Sequence, residues 1–252
     1  MNRRSFVGVL GAASALAAAP EKRTRFYALE SFKLKAGNQL PHLHELFGKT
    51  LLPKLNGFWS GPKIFLEGVV APHMPQMLVV YGFNSLEEVW GVHGKILADP
   101  DLTKAFESLE SGPEPGFETL DTTLVEAAPY SPEITPATSG KPRIFELRTY
   151  HSPTFRQLGA LHDRFSGPEI KIFHRVGIHP ILYSSTMFGQ NMPNLTYLIP
   201  FDSLAQREAA WSAFAADAEW VKVRKESIDK SGQISSVQNI SLWKATDYSP
   251  VR

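Results

Sequence analysis

The side chains that could do chemistry in this sequence are histidines, carboxylates, arginines and tyrosines, because the chain contains no cysteine. The absence of thiols excludes disulfides, thiolate metal sites and cysteine nucleophiles. The remaining side chains could serve as general acids or bases, as donors to a developing oxyanion, or as partners for a polar ligand group. The candidates for a pocket or an interior charged group are Glu30, Glu146, Arg148, Tyr150, His162 and His179.

Three of these candidates share one face of a predicted strand. Glu146, Arg148 and Tyr150 alternate along it, so their side chains point the same way. Phe145 and Leu147 fall on the opposite face. We expect the apolar face to meet helices and the charged face to line the interior of a closed barrel.

Glu30 is expected to reach the same interior surface from an earlier, related strand. Arg148 would then hold the carboxylates of Glu30 and Glu146 by bidentate hydrogen bonds. Charges inside a barrel are costly unless they are paired. An internal ion-pair network is therefore the favoured interpretation, and a site for a polar ligand group is the alternative.

The histidines give a weaker signal. His44 and His162 occupy equivalent positions on two predicted amphipathic helices, 118 residues apart. A histidine on an apolar stripe is more often a hydrogen-bonded packing residue than a proton carrier, so packing is the favoured interpretation for both. His174 and His179 are five residues apart and span the end of a helix.

Motifs for metals and nucleotides are missing from the sequence. It has no HExxH, no Cys/His cluster, no G-x-G-x-x-G, no Walker loop and no G-x-S-x-G. We therefore predict neither a metal nor another cofactor. The formal net charge of +1, without a long run of either sign, makes nucleic acid an unexpected partner.

The first 20 residues are typical of an export leader. Arg3 and Arg4 lie in a segment that resembles a twin-arginine signal, and Ala15-Leu16-Ala17 offers a cleavage site. The apolar run of about 13 residues falls short of the roughly 20 that a spanning helix needs, so stable membrane insertion is not expected. The mature protein is predicted to be periplasmic or secreted.

An internal repeat organises the rest of the chain. A constant offset of 118 residues pairs Leu40 with Leu158 and Phe47 with Phe165, and it ends on Tyr-Ser-Pro in both copies. Each copy has the predicted order β-α-β-β-α-β of a ferredoxin-like module, with helices on one face of its sheet. Module 1 is assigned to residues 21–128 and module 2 to residues 143–252, and the proline-rich linker 129–142 is expected to run over the surface.

The bare faces of two such sheets must be buried. We therefore predict an α+β fold in which the tandem modules pack sheet to sheet as an intramolecular dimeric α/β barrel. Neither module is expected to be stable alone. The chain would form an internal pseudo-dimer, and further assembly into homo-oligomers stays open.

Several strings in the second copy resemble the NIPSNAP family. They are Glu146-Leu147-Arg148-Thr149-Tyr150, Gly177-Ile178-His179-Pro180, the helix from Arg207 to Phe214, and Asp217-Ala218-Glu219-Trp220. The resemblance extends from about Pro142 to Pro250, whereas residues 25–132 look like a diverged copy with Glu30 in place of Arg148. It implies a dimeric α/β barrel, vesicle or mitochondrial roles for animal members, and no agreed catalytic residue.

Three functional hypotheses follow. The first is a protein that binds a small, partly apolar molecule in or beside the barrel. The second is a cofactor-independent enzyme of the monooxygenase or isomerase kind, with Tyr150, Arg148 and His162 as acid, base or oxyanion groups. The third is a structural or protein-interaction module. A cavity of roughly 300 Å³ or more would favour the first two over the third.

Overall fold

Eight antiparallel strands within the described residues form a closed barrel with the order β1-β3-β2-β8-β5-β7-β6-β4. The computed structural model describes residues 23–112, 114–137 and 140–252, so the predicted leader lies outside the described residues. The strands are β1 (Phe26–Lys33), β2 (Lys63–Val70), β3 (Gln76–Phe83), β4 (Thr119–Ala127), β5 (Ile144–His151), β6 (Leu182–Phe188), β7 (Asn194–Phe201) and β8 (Val237–Ala245).

The helices pack against the outside of this barrel. They are α1 (Gln39–Glu45), α2 (Leu52–Phe58), α3 (Leu86–Ala98), α4 (Pro100–Glu110), α5 (Phe155–Arg164), α6 (Ile170–Arg175), α7 (Leu204–Ala216) and α8 (Ala218–Ser231). In the described part of the chain, none of them is both long and apolar enough to cross a membrane.

Each half of the chain contributes four neighbouring strands, which confirms the predicted pair of ferredoxin-like modules. Module 1 supplies β4-β1-β3-β2 and module 2 supplies β8-β5-β7-β6. The barrel closes where β2 pairs with β8 and β4 pairs with β6. The two sheets are thus joined edge to edge at both sides, which satisfies the backbone groups at what would otherwise be four exposed sheet edges.

Helix starts in the two modules use the same local chemistry. The Ser85 hydroxyl accepts a hydrogen bond from the backbone N–H of Glu88 at the start of α3 (3.2 Å). The equivalent Ser203 caps α7 by accepting from the N–H of Gln206 (3.1 Å). Such caps satisfy N–H groups that the first helical turn leaves without partners.

A π-helical segment interrupts the first helix of each module at the same place. It spans Leu46–Leu51 in module 1 and Phe165–Glu169 in module 2. In the second segment Gly167 leaves helical geometry (φ −90°, ψ −110°), and the helix kinks at Gly167-Pro168 because proline cannot continue the regular hydrogen-bond pattern. The insertion shifts the helical phase, so residues on either side of it face the sheet in positions that a regular helix would not give.

The barrel interior is filled by apolar side chains, and this reverses the predicted orientation of β5. Phe145 is fully buried in the interior cluster and Leu147 packs against it, while Glu146, Arg148 and Tyr150 face the helices. The interior of an eight-stranded barrel is just wide enough to be filled by side chains. The outer face suits the charged row better because α7 brings side chains that can pair with it. The core residues of the interior are Tyr27, Leu29, Ile64, Leu66, Leu78, Val80, Val125, Ile134, Phe145, Leu182, Leu198, Trp243, Ala245 and Val251.

The sequence predicts that the segment between the modules runs over the surface, but part of this segment is buried. Ile134 enters the barrel core, and the Ser131 hydroxyl accepts from the backbone N–H of Tyr183 on β6 (3.0 Å). At the end of module 2 the equivalent Ser249 accepts from the N–H of Phe65 on β2 (3.1 Å). Each Tyr-Ser-Pro segment therefore crosses to the other module and holds one of its strands.

Candidate functional site

The charged row on β5 forms a closed cluster beneath α7. Glu146 is fully buried, and its carboxylate accepts hydrogen bonds from Arg148 Nη1 (2.9 Å), Arg207 Nε (2.6 Å) and Trp211 Nε1 (2.9 Å). Two guanidinium groups and an indole therefore satisfy a single carboxylate. A buried anion with this many donors is stable only as a set, because removal of a donor leaves charge without a partner.

Arg148 is enclosed by aromatic rings. Its guanidinium lies 4.0 Å from the ring centre of Trp211 and 5.3 Å from that of Tyr150. Stacking on an indole is favourable for a desolvated guanidinium. Because Arg148 is only 8% exposed, its contacts give it a structural role at the base of the helix layer.

Glu30 does not join this cluster, which corrects the prediction of one connected group. β1 and β5 lie on opposite sides of the eight-stranded barrel, and Glu30 faces the helices of module 1 together with Ala28 and Phe32. Burial raises the pKa of the Glu30 carboxyl to about 7. Glu30 thus occupies in module 1 the position that Arg148 occupies in module 2. Among the described residues, the helix layer of module 1 places no cation beside the Glu30 carboxyl.

His162 lies at a junction between the modules rather than in the packing layer alone. Its Nδ1 is 2.7 Å from the hydroxyl of Tyr130, and its Nε2 is 2.7 Å from the hydroxyl of Ser185. One ring nitrogen of a neutral imidazole donates and the other accepts, and either hydroxyl can serve both roles. Burial lowers the pKa of His162, which favours the neutral ring.

His44 is held in the same way at the opposite junction. Its Nδ1 is 3.1 Å from the hydroxyl of Tyr248, and its Nε2 is 3.2 Å from Oε2 of Glu67. Through the offset of 118 residues, His44 corresponds to His162 and Tyr248 to Tyr130. Glu67 corresponds to Ser185, so only this third position differs in residue type. In both trios the histidine comes from one module and the tyrosine from the segment that follows the last strand of the other module.

Each trio opens onto a cleft beside the barrel. The His162 cleft has a volume of about 630 Å³, and the His44 cleft has a volume of about 710 Å³. The His162 cleft is lined by Glu126, Ala127, Ala128, Pro129, Tyr130, His162, Asp163, Ser166 and Ser185. The His44 cleft is lined by Pro41, His44, Glu45, Gly48, Lys49, Glu67, Lys244, Ala245, Thr246, Asp247 and Tyr248.

His179 belongs to neither cleft. It is exposed at the entry to β6, and its ring stacks on that of His174 with centres 5.0 Å apart. Within the described ranges no group of three or more histidine, aspartate or glutamate side chains is arranged to hold a metal ion. Neither histidine therefore contributes to a site with the other candidates.

Two features of the site were missed by sequence reasoning. The buried pair of Arg164 and Glu169 (Nε to Oε2, 2.7 Å) forms across the π-helical segment, whose altered phase hides the spacing. Burial raises the pKa of Glu169 to about 7. The hydroxyl partners of the histidines were also missed, although the repeated Tyr-Ser-Pro ends carried a usable signal for Tyr130 and Tyr248.

Comparison with known proteins agrees with this architecture. Residues 145–250 match the NIPSNAP family model. The fold is similar to that of a candidate monooxygenase from Fusobacterium nucleatum subsp. nucleatum, with a TM-score of 0.60 and 8% identity over 88% of this chain and 93% of that chain. It is also similar to an anthrone oxidase-like protein, with a TM-score of 0.56 and 12% identity over 89% and 92% of the two chains.

A candidate monooxygenase from Lactobacillus acidophilus NCFM has the same architecture, with a TM-score of 0.53 and 9% identity over 89% of this chain and 97% of that chain. Among curated proteins none matches the sequence. Identities this low establish the shared fold, a dimeric α/β barrel, and leave the chemistry to be argued from the site.

Proposed function

We propose that this chain, whose residues 145–250 are a NIPSNAP domain, binds a small, partly apolar molecule in the clefts beside its barrel. The observation that carries the proposal is the repeated trio. At both junctions a histidine is hydrogen-bonded at each ring nitrogen and still borders an open cleft. A residue needed only for packing would not have to face a cavity of that size.

The volumes of the clefts support a ligand of ordinary metabolite size. Both fall within the roughly 300–1,000 Å³ typical of small-molecule sites. The His162 cleft combines apolar walls at Ala127, Ala128 and Pro129 with the hydroxyls of Tyr130 and Ser185. A ligand with an apolar body and one oxygen or nitrogen could exchange hydrogen bonds with Ser185 while its body lies on these walls.

Native mass spectrometry of the purified protein tests this function. We expect a bound small molecule in the wild type, reduced occupancy in His162→Ala and in Tyr130→Phe, and wild-type occupancy in His42→Ala, which changes an exposed histidine outside the trio. Wild-type occupancy in both of these variants would place the ligand outside the His162 cleft, and His44→Ala would then test the His44 cleft in the same way. A protein without bound ligand that also binds none from extracts would favour the structural or interaction module.

A second candidate function, a cofactor-independent enzyme, is favoured by one observation. Ser185, His162 and Tyr130 form a chain of hydroxyl, imidazole and hydroxyl that could accept a proton from a ligand and pass it on. Arg148 and Tyr150 are no longer candidates for this role at the cleft, because they lie in the helix layer.

Anthrone is a suitable probe, because one neighbour in fold is an anthrone oxidase-like protein. Loss of a proton from its methylene carbon to His162 would give an anion that adds dioxygen. The resulting peroxide anion would take the proton back from His162 and then lose water to give anthraquinone. Anthraquinone formed in air faster with the wild type than with His162→Ala would support the enzyme. Equal rates for the wild type and His162→Ala would contradict the enzyme and leave small-molecule binding as the proposed function.

We also propose that residues 1–20 direct export of the protein to the periplasm or medium. The support is the sequence pattern of Arg3, Arg4 and the small residues at Ala15 and Ala17.

A further inference from the structure

A third cavity lies in the helix layer of module 2, apart from both clefts. It is lined by Tyr150, Arg164, Glu169, Phe214, Trp220, Arg224, Ile228, Gln233, Ile234, Ser235 and Gln238, and none of these residues lines a cleft. The volume is about 80 Å³. One water molecule needs about 10–15 Å³ by this measure, so the cavity can hold a molecule of roughly five non-hydrogen atoms.

One polar atom in the wall has no partner. The Ser235 hydroxyl oxygen is buried and makes no hydrogen bond within the described part of the chain. A buried hydroxyl without a partner is uncommon in folded proteins, because its desolvation is then uncompensated. The hydroxyl is therefore available to a water molecule or to a ligand group that enters the cavity.

The charges around the cavity favour an anion. Arg164 is paired with Glu169 at 2.7 Å and also donates to the Ser227 hydroxyl (3.2 Å), so this pair adds no net charge to the cavity while Glu169 is ionised. Arg224 is exposed, and among the described residues it forms no ion pair. The cavity thus carries one excess positive charge at a solvent-accessible position.

The remaining wall is apolar and aromatic. The indole of Trp220 and the side chains of Phe214, Ile228 and Ile234 provide surface for a short hydrocarbon portion. The enclosed Glu169 carboxyl disfavours a second negative charge in the same space. The lining therefore suits a ligand with one anionic end and one small apolar or hydroxylated end.

We propose that this cavity binds a short monocarboxylate, of the size of acetate, glycolate or lactate. Its carboxylate would accept hydrogen bonds from Arg224 and Ser235, and its carbon end would contact Trp220 and Ile234. Hydrogen bonds from a guanidinium to a carboxylate are among the stronger ones in proteins, which gives a small molecule enough affinity to be detected.

Ligand-observed NMR with acetate, glycolate and lactate tests the proposal on the full-length protein. We expect saturable binding of at least one of them and none of acetamide, which has the same shape without the charge. Arg224→Gln should weaken binding about tenfold, the scale of one lost charge-assisted hydrogen bond. Ser235→Ala should weaken it less. Lys230→Gln on the same helix should leave it unchanged, because Lys230 is exposed and does not line the cavity.

Several outcomes would overturn the proposal. They are no saturable binding of any carboxylate, equal binding of acetamide, or unchanged binding by both Arg224→Gln and Ser235→Ala. An equal loss of binding in Lys230→Gln would show that the carboxylate responds to the overall positive charge of the protein and not to the cavity. His162→Ala should retain carboxylate binding, so a failure of the cleft proposal and a failure of this one give different results.

Discussion

Nδ1 of His162 lies 2.7 Å from the hydroxyl of Tyr130, although the histidine belongs to module 2 and the tyrosine follows the last strand of module 1. The equivalent contact of His44 with Tyr248 runs in the opposite direction between the modules. Both contacts stand beside the strand pairs that close the barrel, β4 with β6 and β2 with β8. The histidines therefore link the two modules at the same places where they border the clefts.

This linkage predicts energetic coupling between Tyr130 and His162. Tyr130→Phe should destabilise the protein by about 1 kcal/mol, because it removes one partly buried hydrogen bond. A double-mutant cycle with His162→Ala, measured by urea unfolding, should show a coupling of about 0.5–1.5 kcal/mol. The pair Tyr248→Phe and His162→Ala is the matched control and should be additive. Additivity in the first cycle would contradict the linkage.

Arg148→Met is expected to destabilise the fold strongly. The substitution removes one of three side chains that donate to the fully buried Glu146, which leaves charge less well compensated. Breaking a buried pair typically costs about 3 kcal/mol. Arg156→Met changes an exposed arginine on α5 and should cost less than about 0.5 kcal/mol. Urea unfolding compares the stability of the two variants. A similarly small loss of stability in both would show that Arg148 does not stabilise the fold.

Glu30→Gln should change the pH dependence of stability. The pKa of Glu30 rises from an ordinary value of 4.5 to about 7 on folding, because burial disfavours the carboxylate. Between pH 4.5 and about 7, the folded chain therefore keeps a proton on Glu30 that the unfolded chain releases. The resulting stability is fully present below about 4.5 and is lost as the pH rises through about 7.

We therefore expect Glu30→Gln to have little effect at pH 4 and to stabilise the protein at pH 8, by at most about 3 kcal/mol. Glu169, whose pKa is also raised to about 7, retains part of the same slope in the variant. Unfolding at both pH values is the measurement, with the exposed Glu107→Gln as control. An equal effect of Glu30→Gln at pH 4 and pH 8 would be the contrary result.

The modules should not be stable as separate chains. Each would expose the sheet face that now fills the barrel interior, including Tyr27 and Leu78 in module 1 and Phe145 and Trp243 in module 2. Exposure of such a face favours aggregation or partial unfolding. Fragments 21–138 and 139–252 can be compared by size-exclusion chromatography and hydrogen exchange. A well-folded, monomeric 21–138 fragment would be incompatible with a shared core.

Export should require the two arginines near the start of the chain. Protein recovered outside the cytoplasm is expected to begin near Ala18, because Ala15 and Ala17 meet the small-residue requirement for cleavage. The double substitution Arg3→Lys and Arg4→Lys should abolish export by the twin-arginine route. N-terminal mass determination and fractionation check both points. Intact Met1 on exported protein would exclude cleavage, and continued export of the double variant would exclude the route.

The sequence by itself determined the architecture of this protein. The offset of 118 residues established two copies, and the order of elements within a copy established the ferredoxin-like module. The kink at Gly167-Pro168 and the caps at Ser85 and Ser203 depend on residues close together in the chain, so a local sequence pattern can specify them. Local chemistry and internal symmetry need no knowledge of distant contacts.

Only the tertiary structure decided which face of β5 carries the charges and what those charges meet. Alternation separates Glu146 and Arg148 from Phe145 but does not say which side is the barrel interior, because both faces of the strand are buried. The pairing of Glu146 with Arg207, and of His162 with Tyr130, joins residues 61 and 32 positions apart. Such contacts depend on how the helices pack against the closed barrel. A periodic pattern within one strand or helix does not specify which residues from distant parts of the chain will lie beside it.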